Sequence, residues 1–118
     1  MSKNKGLYLI QILPDVRSDI ASLPSELQKK LPQYYNILSL DPYKTLDFPS
    51  HSLIGKLKGF RALEIDWNQT SYRLVYRIYE KPSPQRVVIV SFAEHDEAYF
   101  FAKQRKWLMI LATTPNQR

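Results

Sequence analysis

Three strand-like segments joined by short loops occupy the second half of this 118-residue chain. The segments are 61–67, 72–80 and 86–92, and the connecting sequences are NQTS and KPSPQ. Such short connections join antiparallel neighbours, because a parallel pair needs a crossover of about a dozen residues or more. The sequence therefore predicts an antiparallel meander, and most other elements must pack on it.

The alternation of side chains in these segments assigns their faces. Segment 61–67 alternates larger apolar residues with small or acidic ones, which is typical of a half-buried strand. Segment 72–80, YRLVYRIYE, places Arg73 and Arg77 on the same face as Val75 and Tyr79. Segment 86–92, RVVIVSF, is almost wholly apolar, which indicates a strand covered on both faces.

The rest of the chain is predicted to be largely helical. The apolar run 7–13 predicts a first strand ended by Pro14, and Asp15 is placed to cap a short helix. From Pro24 to Leu40 apolar residues recur at helical spacing, with a kink or a division expected at Pro32. Segment 41–54, rich in Pro, Ser and Asp, predicts a long loop.

A final helix is expected from Asp96, which is a natural cap, with KQRK (103–106) on its exposed face. The whole chain, 1–118, is expected to form one α+β domain. In it an N-terminal strand and a helical hairpin pack on a small, mainly antiparallel sheet, followed by a C-terminal helix. His51 is interpreted as an ordinary loop residue. Tyr34, Tyr35 and Tyr43 are interpreted as residues of the hydrophobic core and its rim.

Composition narrows the functional classes. Seventeen Lys and Arg against eleven Asp and Glu leave a net charge of +6, which favours nucleic acid, an anionic surface or an acidic protein partner. The absence of cysteine excludes disulfides and thiolate chemistry and fits a cytoplasmic protein. The two histidines are far apart, so no metal site and no cofactor are expected. The apolar runs 7–13 and 107–112 are too short to span a membrane.

Three strings resemble the RelE/ParE superfamily, the toxin halves of bacterial type II toxin–antitoxin systems. They are LIGKLKGF (53–60), YRLVYRIY (72–79) and VVIVSFAEHDEAY (87–99). The resemblance implies a small sheet with a packed helical hairpin. For the RelE branch it implies ribosome-dependent, metal-independent cleavage of mRNA, and for the ParE branch inhibition of DNA gyrase. It also implies a cognate antitoxin, and contact with DNA only indirectly through that antitoxin. The basic charge of the chain suits an antitoxin with an acidic segment that folds on binding.

Four residues are the candidate catalytic groups. The resemblance implies that Arg73 contacts phosphate and that Tyr99 lies near the family's C-terminal tyrosine. Metal-free RNA cleavage needs a base for the 2′-hydroxyl, a cation for the charged phosphorane and an acid for the leaving oxygen. Glu64 or His95 is the candidate base, Arg73 the phosphate clamp, and His95 or Tyr99 the acid.

Four further cations are the candidate RNA-binding residues. The resemblance places Lys56 and Lys58 on the family's basic loop, and Arg61 follows them closely. Phe60 lies among these three cations, a combination that suits backbone contacts with base stacking. Arg77 is the fourth candidate, with pairing to Glu64 or Asp66 across the strands as its alternative.

Two other functions remain open at this point. Glu64, Asp66 and the acidic string EHDEAY stand where related enzymes often carry basic residues. One alternative is a ParE-like inhibitor of DNA gyrase without nuclease activity. The other is an attenuated toxin that acts mainly in an antitoxin complex that represses its own promoter.

Overall fold

The computed structural model describes the backbone of residues 7–113 and the side chains of residues 7–107. The strands are β1 (Leu9–Ile12), β2 (Ser50–Ser52), β3 (Phe60–Trp67), β4 (Thr70–Tyr79) and β5 (Arg86–Glu94). The helices are α1 (Val16–Ala21), α2 (Ser25–Lys29), α3 (Leu31–Leu40) and α4 (His95–Thr113), with a short 3-10 helix at Gly55–Leu57. None of the described helices is both long and apolar enough to cross a membrane.

The five strands form one sheet in the order β1-β5-β4-β3-β2. Only β1 and β5 are parallel; the other three pairs are antiparallel. The predicted meander and the α+β class with a mainly antiparallel sheet are therefore confirmed. The predicted long loop over 41–54 contains one short strand that was not predicted, because β2 lies in this segment and pairs with β3. The three residues of β2 are too few to show the alternation of apolar and polar side chains by which a strand is predicted.

The sheet has two distinct faces. The arginine face carries Arg73, Val75 and Arg77 of β4, with Glu64 opposite Arg73 on β3 and Ala93 opposite it on β5. The core face carries Tyr72, Leu74, Tyr76 and their strand neighbours, as the alternation predicted. The pairing of β4 with β5 is interrupted by a bulge, since Val75 faces Ser91 while Tyr76 faces Ile89.

Helices cover both faces. On the core face the buried Tyr34 of α3 packs edge-on against Phe92, with ring centroids 5.9 Å apart. On the arginine face α4 contacts β5 and β4, and Ser91 Oγ donates a hydrogen bond of 2.8 Å to the carbonyl of Ala98. Val75 is consequently fully buried, so the middle of the arginine face is covered by α4.

Proline divides the N-terminal helical region as predicted. Helix α2 ends at Lys29, and α3 begins at Leu31 with Pro32 in its first turn, where the missing N–H needs no partner. Asp15 occupies the position before α1 but makes no side-chain capping hydrogen bond. Asp96 is not the cap of the last helix, because α4 begins one residue earlier at His95.

A buried ion pair connects α1 to α4. Arg105 donates to both carboxylate oxygens of Asp19, at 2.7 and 2.9 Å, and to the carbonyl of Val90 at 2.9 Å. The carboxylate of Asp19 also accepts the backbone N–H of Phe92 at 3.0 Å. The prediction that 103–106 forms an exposed face is therefore wrong for Arg105, whose side chain is only 10% exposed.

Two tyrosines share one carboxylate at the other end of the sheet. Tyr8 and Tyr43 donate to the same oxygen of Glu80, at 2.5 and 2.6 Å. Burial and these hydrogen bonds raise the pKa of Tyr43 to about 12 and also raise the pKa of Tyr8. The cluster connects β1, the loop after α3 and the end of β4.

We expect Arg105→Met to lower the free energy of unfolding by about 3–5 kcal/mol, because Asp19 is left buried without its countercharge. Urea denaturation followed by circular dichroism measures the change. Lys103→Met, two residues earlier at an exposed position of α4, is the matched control and should change stability by less than about 0.5 kcal/mol. Equal effects of the two substitutions would show that the buried pair does not hold α4.

We expect stability to fall as pH rises from 10 through about 12, and to fall less steeply in Tyr43→Phe. The raised pKa means that the fold stabilises the protonated phenol; this contribution is complete below pH 10 and is lost as Tyr43 ionises. Urea midpoints measured across this range test the expectation. Parallel curves for wild type and variant would contradict it.

Candidate functional site

A row of titratable side chains crosses β2, β3 and β4. Glu64 and Arg73 are cross-strand partners, with Arg73 Nη2 3.9 Å from Glu64 Oε1. His51 lies on β2 with its Nδ1 2.8 Å from the other Glu64 oxygen. The interpretation of His51 as an ordinary loop residue is wrong, and no local pattern identifies it because its partner is 13 residues away on β3.

The guanidinium of Arg73 is held by its own strand. Nη1 donates to Ser71 Oγ at 2.6 Å and to the carbonyl of Tyr72 at 3.0 Å, and the side chain is 13% exposed. Nε is buried and has no hydrogen-bond partner among the described residues. Leaving such a donor unpaired costs about 1–3 kcal/mol. An oxyanion such as phosphate would supply an acceptor.

His95 and Tyr99 share one face of α4, one turn apart. Their rings meet edge to face with centroids 4.7 Å apart. His95 Nδ1 lies 2.8 Å from Asp96 Oδ1, a contact that orients the ring and leaves Nε2 for another partner. The side chain of His95 is about half exposed, as proton exchange with a substrate requires.

The sheet register brings His95 towards Arg73. Arg73 lies opposite Ala93, and His95 follows two residues later at the start of α4. Ser71, which holds the Arg73 guanidinium, and His95 line the same open cavity of about 710 Å³. Three of the predicted catalytic residues, Arg73, His95 and Tyr99, thus lie towards the same end of the sheet. Glu64, the fourth, reaches the same end through its contact with Arg73.

Acidic residues also border this end of the sheet. Glu94, Asp96 and Glu97 line the same cavity as His95. A carboxylate repels phosphate, and close to a protein surface two like charges 4 Å apart repel by about 1–4 kcal/mol. The site therefore combines groups suited to proton transfer with a local field that opposes an anionic substrate.

Two of the predicted RNA-binding residues lie on an exposed loop. Lys56 lies in the short 3-10 helix and Lys58 directly follows it; both side chains are exposed. Lys106 of α4 donates to the carbonyl of Lys56 at 3.0 Å, which ties the helix to this loop. Phe60 is only 2% exposed, so the expected stacking of a base on its ring is ruled out by burial.

Arg77 belongs to the same end of the sheet as this loop. It lies opposite Phe60, with its guanidinium 5.3 Å from the centroid of that ring. The alternative that Arg77 pairs with Glu64 or Asp66 is wrong, because the register sets those residues opposite Arg73 and Ser71. Four strand residues separate Arg73 from Arg77, or about 13 Å along the strand.

Arg61 lies on the opposite face of the sheet from Arg73 and Arg77. Its guanidinium donates to Ser50 Oγ, Ser52 Oγ and the carbonyl of Tyr43, each at 3.0 Å. The structure thus separates Arg61 from Lys56 and Lys58 and engages its donors within the chain. Its role in RNA binding stays a prediction.

Comparison with known proteins adds to this geometry. No protein-family model and no curated protein matches the sequence. Three solved toxin structures share the fold. The RelBE2 toxin–antitoxin complex from Mycobacterium tuberculosis matches with a TM-score of 0.60 and 24% identity, covering 75% of this chain and 99% of that chain.

The second is the YoeB/ParE toxin from Agrobacterium tumefaciens, with a TM-score of 0.60 and 18% identity, covering 74% of this chain and 98% of that chain. The third is a variant of the toxin RelE from Escherichia coli in the free state, with a TM-score of 0.60 and 19% identity, covering 84% of this chain and 97% of that chain. This chain therefore has the RelE/ParE toxin fold, as the resemblance implied.

We expect Glu64→Gln to bind a short single-stranded RNA about 3- to 10-fold more tightly than wild type, because a negative charge beside Arg73 is removed. Fluorescence anisotropy with a labelled oligonucleotide at fixed salt measures the affinity. Glu26→Gln on α2 changes the net charge equally and is the matched control. Equal gains in both variants would show that only the net charge matters.

Proposed function

We propose that this protein is the toxin of a bacterial toxin–antitoxin pair and that it inhibits translation by cutting mRNA on the ribosome without a metal ion. The observation that supports the proposal is the position of Arg73 at the same end of the sheet as the paired rings of His95 and Tyr99. The shared fold with RelE, YoeB/ParE and RelBE2 structures supports the toxin role.

In the proposed reaction the 2′-hydroxyl of a nucleotide attacks the adjacent phosphorus atom. Glu64 or His95 accepts the hydroxyl proton, and the P–O bond to the next nucleotide breaks as His95 or Tyr99 protonates the leaving 5′ oxygen. The Arg73 guanidinium offsets the negative charge of the phosphorane. Each acid or base is expected to contribute about 10²- to 10⁴-fold.

The remaining residues have supporting roles in this proposal. Arg77, about 13 Å from Arg73 along the strand, and the loop residues Lys56 and Lys58 hold the RNA backbone beyond the cleaved bond. His51 orients the carboxylate of Glu64 through their 2.8 Å contact. Such a toxin acts in the cytoplasm, where translated mRNA is found.

A cognate antitoxin is the proposed protein partner. One of the structures that share this fold is described as a toxin–antitoxin complex. The net charge of +6 suits an acidic antitoxin segment that folds on binding and blocks access to the basic residues. Contact with DNA is proposed to occur only through the antitoxin.

Inhibition of DNA gyrase without RNA cleavage is the second candidate function. The acidic residues around His95 favour it, since they oppose the approach of an RNA backbone. A protein target would not require the acid–base groups. An attenuated toxin that works mainly in a repressing antitoxin complex would also tolerate these charges.

Inducible expression of wild type and Arg73→Ala in a bacterial host tests the proposal, with growth and mRNA 5′ ends followed together. We expect growth arrest with new 5′ ends inside translated codons, reduced by about 10²-fold or more in Arg73→Ala because the phosphorane loses its cation. Arg17→Ala, an exposed arginine on α1, is the matched control and should cleave like wild type.

Three other results would redirect the proposal. Arrest without new RNA ends, together with inhibited supercoiling by gyrase, would favour the second candidate function. No arrest from a soluble, folded protein would favour the attenuated toxin. Cleavage that survives in Arg73→Ala would remove Arg73 from the proposed mechanism.

A further inference from the structure

Two arginines and a tyrosine lie together at the end of the arginine face that is farther from Arg73. Tyr79 follows Arg77 on this face of β4, and Arg86 of β5 lies directly opposite Tyr79. The guanidinium carbon of Arg77 is 5.5 Å from the centroid of the Tyr79 ring, and that of Arg86 is 4.8 Å from it. The three residues therefore form an arginine–tyrosine stack, in which one ring contacts two cations.

Arg77 is held by aromatic and backbone surfaces. Its guanidinium lies 5.3 Å from the centroid of the Phe60 ring, and its Cζ is 3.5 Å from the position that a Cβ on Gly59 would take. Within residues 7–107 the side chain makes neither an ion pair nor a hydrogen bond. The fold thus fixes the position of the guanidinium while its N–H groups stay available to an acceptor from outside the chain.

The arginine–tyrosine stack has no countercharge in the described part of the chain. Neither Arg77 nor Arg86 forms an ion pair there, and Arg86 makes one hydrogen bond, from Nη1 to the carbonyl of Pro82 at 3.3 Å. The residues paired with the two arginines on neighbouring strands are all uncharged: Leu9, Phe60, Tyr79 and Val88. Glu80 comes next after Tyr79, but its carboxylate accepts two tyrosine hydroxyls.

The short distance between the two charges points to an anionic ligand. Because both guanidinium groups contact one ring, their carbon atoms lie within about 10 Å of each other, which is close to the Debye length at 0.1 M salt. Salt therefore screens their repulsion only in part. Lys58, directly before Gly59, and Lys56 extend the positive charge beyond Arg77. An anion that spans these cations would lower their mutual repulsion.

The row of cations runs across the strands, so it matches an extended polyanion. Neighbouring strands lie about 4.8 Å apart, and the row from the start of β3 to β5 therefore covers about 10 Å. The planar fork of an arginine binds two phosphate oxygens at once and keeps its charge. A nucleic-acid backbone supplies such phosphates at regular intervals.

We propose that the arginine–tyrosine stack binds phosphates of an RNA backbone and is a second RNA site, separate from that of Arg73. The two sites lie on either side of the part of the arginine face that α4 covers, where Val75 is fully buried. Arg86 and Tyr79 thereby join Arg77 in contacting RNA outside the catalytic end of the sheet. The choice of RNA as the polyanion rests on the proposed function.

The salt dependence of RNA binding tests the proposal, because it counts the phosphates that the protein neutralises. The probe is a labelled RNA of about 12 nucleotides with methylated 2′-hydroxyls, which cannot be cleaved. Fluorescence anisotropy measures its affinity from about 50 to 200 mM KCl. We expect the slope of log affinity against log salt to be shallower by about 0.7 in Arg86→Gln and by about 1.4 when Arg77→Gln is added.

Arg17→Gln on α1 is the matched control, since it removes the same charge from an exposed position elsewhere on the protein. It should keep the slope of the wild type. An unchanged slope in Arg86→Gln, or an equal change in Arg17→Gln, would overturn the proposal.

A variant that keeps the charge separates phosphate binding from packing on the ring. Arg86→Lys should keep the slope of the wild type, with an affinity about 2- to 5-fold lower because lysine lacks the bidentate fork. A slope as shallow in Arg86→Lys as in Arg86→Gln would show that Arg86 only covers Tyr79 and would overturn the proposal. Circular dichroism confirms the native fold of each variant.

A short capped peptide of glutamates tests the other kind of polyanion. Binding of this peptide that is lost in Arg86→Gln, together with an unchanged RNA slope, would assign the stack to an acidic protein segment and overturn the proposal.

Failure of this site and failure of the toxin proposal give different results. The expected change of slope in a protein that yields no new mRNA ends in cells would support the site and reject the nuclease. New mRNA ends together with an unchanged slope in Arg86→Gln would reject the site and leave the nuclease supported.

Discussion

The buried ion pair between Asp19 and Arg105 is the contact on which the arrangement of helices around the sheet depends. These residues are 86 positions apart, and neither charge could stay buried without the other. Asp19 also accepts the N–H of Phe92, where β5 extends past the end of β1 and pairs with a strand only on its other side, β4. The pair thus fixes α1 and α4 to the same strand, and with them the course of α4 over the arginine face.

Charges of opposite sign lie at the two ends of the sheet. Lys56, Lys58 and Arg77 lie at one end, and Glu94 and Glu97 lie beside His95 at the other. The net charge of +6 therefore describes a polarised surface, which would orient a long anion along the sheet.

Local patterns were sufficient for much of the fold. Strand alternation predicted both faces of β4, and Pro32 predicted the division of the helical region. Two failures depended on distant partners: β2 is too short to alternate and is defined by its pairing with β3, and Arg105 looks solvated until Asp19 is beside it. For the site, the sequence predicted Arg73, His95 and Tyr99 as parts of one catalytic group. It missed His51 and grouped Arg61 with cations from which the pleat of β3 separates it.

The bulge in β5 determines which face of the sheet each later residue of that strand lies on. One extra residue, Val90, stands between Ile89 and Ser91, and its carbonyl accepts the Arg105 hydrogen bond. In an uninterrupted ladder the residue opposite Arg73 would be Phe92, and Glu94 rather than His95 would follow on that face. A strand of the same sequence without the bulge would be equally apolar but would place a carboxylate instead of an imidazole after the residue opposite the arginine. The single extra residue of the bulge is therefore itself a determinant of the chemistry at this site.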